Sequence, residues 1–364
     1  MDMAIETAGF FSTAGYFIIV LGILVFVHEL GHFLAAKSMG VRILKFSLGF
    51  GPKLIGKKVG HTDYMISMLP LGGYVKMLGE NPYDEITDKE KSESFLAQNN
   101  LKKSVIVVSG PLFNFFFAVF AYWAVFMIGV SVPVDVPVVG SLSDGFPAAE
   151  AGLTAGDRIV SINGEAVKSW EGMSEMIRAS GGNAVELKVL RGDEEMVFSV
   201  TPKVGEGIGE DFTPKEYYMI GISPTFELKR YGPIKAIDLG LKQTGMIILV
   251  TFKVIGKMFS GDIPLNNIGG PILIAQVAGE AGKGGLAHFL GFLALISINL
   301  GILNLLPVPI LDGGHLLFFI IESVIRRPIS LKVKEVALQI GLLLLVLLMI
   351  MAFYFDIARI ISPG

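Results

Sequence analysis

The chain has 364 residues, of which 52% are hydrophobic and only 17% charged, with a net charge of −3 and a mean hydropathy of +0.62. That balance excludes a simple soluble enzyme, and no nucleic-acid partner is expected. There are no cysteines, so a redox compartment cannot be read and any bound metal must be held by nitrogen and oxygen ligands.

The first apolar stretch, about Tyr16–Ala36, is long enough for a bilayer-spanning helix and contains His28-Glu29-Leu30-Gly31-His32. On a helix the two histidines are one turn apart and share a face, so both imidazoles reach one ion while Glu29 stands beside it as a base. An acidic residue at the centre of a span costs roughly 2.5 kcal/mol or more on insertion scales unless it is paired or ligated. That expense points to zinc chemistry inside a membrane; a helix end that happens to be polar is the alternative. Asp2 and Glu6 stand where a signal peptide needs basic residues, and no small-residue cleavage site follows, so the segment is expected to stay in the mature chain.

After it comes a basic loop with Lys37, Arg42, Lys45, Lys53, Lys57 and Lys58. Asp63–Pro70 and Gly73–Leu78, rich in Tyr and β-branched residues, read as strands flanking a Leu71-Gly72 turn. A second span is expected at about Ser104–Val130, preceded by Lys102 and Lys103, a third at about Leu286–Leu306 and a fourth at about Ala337–Phe355. The stretch about Ile234–Phe259 carries Lys235, Asp238, Lys242, Lys253 and Lys257 and reads as an amphipathic helix at the interface. Arg326, Arg327, Lys332 and Lys334 between the last two spans join the other basic clusters on the cytoplasmic side, which places both termini and the segment from about Ser131 to Ala287 outside.

Within that outer segment, Pro133-Val134-Asp135-Val136-Pro137 reads as a linker into a separate domain, about Val138–Lys203. Gly152 ends a short helix, Asn163-Gly164 is a tight hairpin turn, and Val185–Leu190 and Met196–Val200 alternate as strands around Arg191-Gly192-Asp193. The run Val138–Leu142, Pro147–Leu153, Gly156–Gly164 resembles a bacterial PDZ domain. Such domains add a peptide strand to a sheet edge, and the expected groove is Val139, Gly140, Ser141 and Leu142; a rigid spacer or size-excluding lid is the alternative. Residues Gly205–Pro214 read as an exit linker. The expected organisation is residues 1–132 (membrane half with the histidine motif), 133–204 (PDZ domain), 205–285 (linker and interfacial helix) and 286–364 (second membrane half).

Two histidines leave a catalytic zinc short of a protein ligand, and Asp312 in the run Asn304–His315 is the best remaining candidate. Pro307 and Pro309 block continued helix, and Gly313-Gly314 permits unusual backbone angles, so the segment can bend and aim Asp312 at the ion. The alternative is a solvated turn after the third span. Asn114 and Asn304 are amides within spans and need partners there, either substrate, a developing oxyanion or a neighbouring helix. His315 is a weaker ligand candidate because a catalytic site keeps one position open, and His61 and His288 are isolated.

The histidine motif, Gly110-Pro111-Leu112-Phe113-Asn114, the PDZ-like run and Asn304–Gly314, in that order, resemble the site-2 protease family of intramembrane zinc metalloproteases, in its bacterial regulator of sigma-E protease branch. The resemblance covers nearly the whole chain. It implies a polytopic α-helical membrane protein of about four transmembrane helices with a membrane-associated β-hairpin and an inserted extracytoplasmic PDZ domain, in the bacterial cytoplasmic membrane. It also implies one Zn2+ per chain held by His28, His32 and Asp312, with Glu29 as base; a role for Asn304 at the oxyanion is read from its place near the end of the third span. Substrates would be membrane-spanning segments of single-pass proteins such as anti-sigma factors already trimmed by another protease, or remnant signal peptides. The hairpin edge at Tyr74, Val75 and Met77, with Asn114, would contact them. Relatives carry two tandem PDZ domains and this chain has room for one. A peptide-binding membrane adaptor with a structural metal site and a metal transporter are the other classes open to this sequence.

Overall fold

In hydrocarbon every backbone amide must find its partner within its own segment, and the long apolar runs of this chain accordingly form helices. The computed structural model describes residues 2–209, 214–264, 266 and 269–361. It divides into two units, Met1–Ile128 with Gly232–Gly364, and Gly129–Tyr231.

In the first unit, α1 (Asp2–Ser38), α2 (Asn100–Ile128), α5 (Pro233–Ser260), α7 (Leu286–Leu305) and α9 (Leu331–Ile361) are long and apolar enough to cross a membrane. The fifth of these is α5, which the sequence reading set at the interface. Its charges gather toward its two ends, where Asp238 pairs with Lys235 and Lys242, and residues 243–252 carry none. It packs closely on α2: a methyl at Gly240 would stand 3.1 Å from the Val119 carbonyl oxygen and 3.2 Å from the Trp123 amide. α1 and α2 cross tightly too, since a methyl at Gly31 would strike the Ser109 carbonyl.

α7 stops at Leu305, where Pro307 prevents continuation, and Leu306 is extended (φ −63°, ψ 145°). A short turn carries the chain to α8 (Asp312–Ile325), whose first residue is Asp312. Its Gly313 and Gly314 lie against the carbonyls of Leu305, Leu306 and Val308, where no side chain fits. A short helix, α6 (Pro271–Lys283), is tied to α9 by Asp356, whose carboxylate accepts from the amides of Gly270, Ile272 and Leu273 at 2.9–3.1 Å.

Between α1 and α2 lie two long strands, β1 (Ile43–Val59) and β2 (Thr62–Met77), joined by a turn at Gly60 (φ +61°). The expected hairpin about Leu71-Gly72 does not form. Residues 63–66 and 73–76 both pair with 45–48, which lie between them, while 53–59 return along 62–67. Residues 73–77 therefore form an outer strand of this small sheet, and no other described strand pairs with their second side.

The second unit is an α+β domain of PDZ type. Its four-stranded sheet runs β6 (Glu165–Ala166), β5 (Arg158–Ile162), β7 (Val185–Arg191), β8 (Glu194–Val200), and its helices are α3 (Pro147–Glu150) and α4 (Trp170–Ala179). Asn163 and Gly164 have φ of 51° and 84°, as the expected tight hairpin turn requires. Val139, Ile159, Met173, Leu187 and Ile220 form its core. The domain reaches further than expected in both directions, because β3 (Val130–Pro133) pairs with β12 (Phe226–Lys229) and closes its base. The stretch Gly205–Pro214, read as an exit linker, falls within β9 (Lys203–Ile208) and β10 (Pro214–Met219), with 210–213 outside the described residues. β11 (Ile222–Pro224) pairs with β4 (Val139–Leu142), which corrects the expected peptide groove. Val139 is fully buried in the core and Gly140 lies against the Pro224 carbonyl, so β11, not β4, presents the open edge among the described strands.

Candidate metal centre

A helical spacing of four puts His28 and His32 on the face of α1 that meets α2 and α8. Asp312, at the positive N-terminal end of α8, completes the group. His28 Nε2 is 3.1 Å and His32 Nε2 3.4 Å from Asp312 Oδ2, and the two Nε2 atoms are 3.2 Å apart. The three side chains are largely buried.

The protonation of these rings follows from their other nitrogens. His32 Nδ1 lies 2.9 Å from the Ile106 carbonyl of α2, which can only accept, so Nδ1 carries the proton and Nε2 presents its lone pair inward. His28 Nδ1 lies 3.2 Å from the Asn114 side-chain amide, whose Oδ1 is otherwise buried without a partner. A half-turn of that amide, which exchanges two atoms of nearly equal size, lets Oδ1 accept from Nδ1–H and leaves His28 Nε2 unprotonated as well. Asp312 Oδ2 is buried without a hydrogen bond. Two aprotic nitrogens and a carboxylate oxygen, all within 4.8 Å of one another, repel unless a cation lies among them. Nitrogen and oxygen donors of this kind suit zinc, so the residues present fit that ion.

Gly110 makes the space. A methyl there would run into Nε2 and Cε1 of His32, so the helix bearing the supporting residues can approach the imidazoles only through glycine. In the sequence Gly110 stands only as the first residue of Gly110–Asn114, with no spatial role evident. Glu29 lines the same cavity, of about 610 Å3, with Tyr74, Val75, Met77, Asn304 and His315. The Val75 amide of the outer strand donates to the Glu29 carboxylate, and a methyl at Gly73 would press on Val25 and Glu29. Asn304 reaches this cavity, while Asn114, fully buried and bonded to His28, does not line it. The amide of Asn114, expected at the substrate, lies against His28 across the α1–α2 packing. Glu80 escaped the sequence reading. It lines the cavity and accepts from the Met77 amide at 3.1 Å, and desolvation by the cavity wall holds its carboxyl above the usual carboxylate range.

A bundle of apolar helices that gathers two histidines, an aspartate and a glutamate around one cavity defines a membrane-embedded metallopeptidase. Residues 16–348 match the model of peptidase family M50, and the chain belongs to that family. It is 33% identical to the regulator of sigma E protease of Haemophilus influenzae, over 96% of this chain and all of that protein. To the regulator of sigma-E protease RseP of Escherichia coli it is 32% identical, over 94% of this chain and 98% of that one. A protein of Agrobacterium fabrum that carries a provisional zinc-metalloprotease name is 35% identical over the whole of both chains. The alignment with the Escherichia coli protein extends over 442 positions, more than the 364 residues of this chain, so stretches of that relative have no counterpart here. Among solved structures, the PDZ domain of an SdrC-like protein from Listeria innocua is 28% identical over 25% of this chain and 93% of that one, with a TM-score of 0.21. The chain is a zinc-dependent metalloprotease of the site-2 type.

Proposed function

We propose that the chain cuts a peptide bond within the membrane-spanning segment of a single-pass protein, with His28, His32 and Asp312 holding the zinc. The convergence of those three side chains beside Glu29 carries the reading. When bound, zinc polarises the scissile carbonyl and lowers the pKa of water toward ~7. Glu29 takes the proton from the attacking water and returns it to the leaving amine. The Val75 amide orients the Glu29 carboxylate, and the Asn304 side chain, which lines the cavity, can donate to the developing oxyanion.

Peptide bonds in a helix are shielded by their own hydrogen bonds, so cleavage requires local unwinding. Residues 73–77, an outer strand along the cavity, offer replacement partners to an unwound substrate. The basic clusters at Lys37–Lys58, Lys102, Lys103 and Arg326–Lys334 support a cytoplasmic active-site end, with α1, α2, α7 and α9 crossing, α5 lying along the outer membrane surface, and both termini and the PDZ domain outside the bacterial cytoplasmic membrane. Substrates are then proteins whose outer part has already been trimmed, and the PDZ domain, through β11, either recognises the new terminus or excludes bulky ones.

The test is cleavage of a single-pass substrate with a short external tail in detergent, comparing wild type, Glu29→Gln and wild type with a zinc chelator. Cleavage by wild type alone is expected, with zinc still bound to the Glu29→Gln protein. Cleavage that survives in that variant would remove Glu29 as the base.

A further inference from the structure

Lys103 lies in the first turn of α2 and is 8% exposed, yet no carboxylate lies within 4 Å of its ammonium among the described residues. It sits 5.3 Å from the Phe319 ring centre and lines a separate cavity of about 360 Å3 with Asn100, Glu322, Ser323, Arg326 and Arg327. Glu322, the acid of this lining, is already committed, to Lys334 at 2.7 Å and to the Ile329 amide at 3.0 Å. Lys103, Arg326 and Arg327 therefore bring three positive charges to one cavity against the single carboxylate of Glu322, which attracts Lys103 but is bonded to Lys334 and the Ile329 amide.

Arg326 adds an independent sign. It ends α8 in the left-handed conformation (φ 53°, ψ 29°), a place where helices ordinarily use glycine, so a charged side chain is held here against backbone preference. Charges that only orient a chain in the membrane are solvated on its surface. Here one lysine is buried, and the two arginines beside it, exposed at the rim of the same cavity, have guanidinium forks that match phosphate oxygens in pairs.

We infer that this cavity is a binding site for a phosphate group, set where a phospholipid headgroup enters. It lies where α2 and α9, both of spanning length, begin. Leu101, Val324 and Ile325 beside it are exposed and apolar, a surface suited to acyl chains. The site is distinct from the metal centre and does not depend on the proteolytic reading.

Full-length protein, stripped of lipid in a neutral detergent, is titrated with phosphatidylglycerol, phosphatidylcholine and glycerol 3-phosphate and read by native mass spectrometry. Wild type is expected to hold one phosphatidylglycerol per chain at least tenfold more tightly than phosphatidylcholine. An Arg326→Gly, Arg327→Gln variant, in which glycine suits the helix end and keeps the fold, is expected to lose that preference, while Lys57→Gln, Lys58→Gln on the β1 strand keeps it. Glycerol 3-phosphate bound by wild type with similar strength, and lost in the arginine variant, would assign the site to free phosphate compounds. Equal retention of the two lipids with no phosphate binding, or an arginine variant that binds like wild type, would overturn the inference.

Discussion

The side-chain amide of Asn114, in α2, lies 3.2 Å from Nδ1 of His28, in α1, while His32 Nδ1 is held by the Ile106 carbonyl two turns earlier on the same helix. α2 thus supplies no ligand of its own to the candidate centre, and yet it sets the orientation and proton position of both imidazoles. Partners of this kind fix a ligand's tautomer and raise its basicity.

Asn114→Ala is accordingly expected to lower zinc affinity by about 10–100-fold, with Asn114→Asp, which keeps an acceptor for Nδ1–H, recovering most of it. Competition against a zinc-binding dye measures this. An alanine variant with wild-type affinity would show that His28 needs no support from α2.

Gly110→Ala places a methyl on the His32 ring. The backbone there is helical and alanine favours helix, so secondary structure should persist while the rings are pushed apart. We expect zinc content to fall well below one per chain with the circular dichroism spectrum unchanged. Full zinc occupancy in that variant would mean that α1 and α2 can separate at little cost.

The Asp356 carboxylate receives three amides at the start of α6, so it acts as an N-cap supplied by another helix. Asp356→Ala should weaken this docking by about 1–2 kcal/mol, the range for a lost cap. Hydrogen exchange should report faster exchange at residues 270–274 with zinc content unaltered. Gly270→Ala should act alike, because its methyl would meet Asp356 and the Ala352 carbonyl.

In the PDZ unit, hydrogen bonds from Arg191 to the fully buried Asp157, helped by the Thr154 amide, hold that carboxyl below its ordinary range. A carboxyl with a lowered folded-state pKa stabilises the fold above its unfolded pKa of ~4, and that contribution is lost as pH falls through the folded value. Amide protection in β5 and β7 should therefore hold from pH 7 to about 5 and decline below ~4, and Arg191→Gln should lower the protection at pH 7 and flatten that acid decline. Protection that is flat to pH 3 in wild type would count against the pair.

The candidate site residues were legible because their chemistry conflicts with their setting: His28, Glu29 and His32 are costly in an apolar helix, and Pro307, Pro309 and Gly313-Gly314 announce a break that frees Asp312. The tight turn at Asn163-Gly164 was equally local. Strand pairing was not, because 45–48 could lie between 63–66 and 73–76 only through contacts distant in sequence, which no turn residue records. For the same reason β4 was read as the groove when β11, some 80 residues later in the chain, covers it. The composition, spacing and order of motifs determine by themselves that this is a membrane metalloprotease with an inserted domain. The tertiary structure alone decides that Asn114 lies against His28 and that Gly110 makes room for His32. Those roles depend on how closely two helices approach and which way their faces turn, and a linear pattern carries neither quantity.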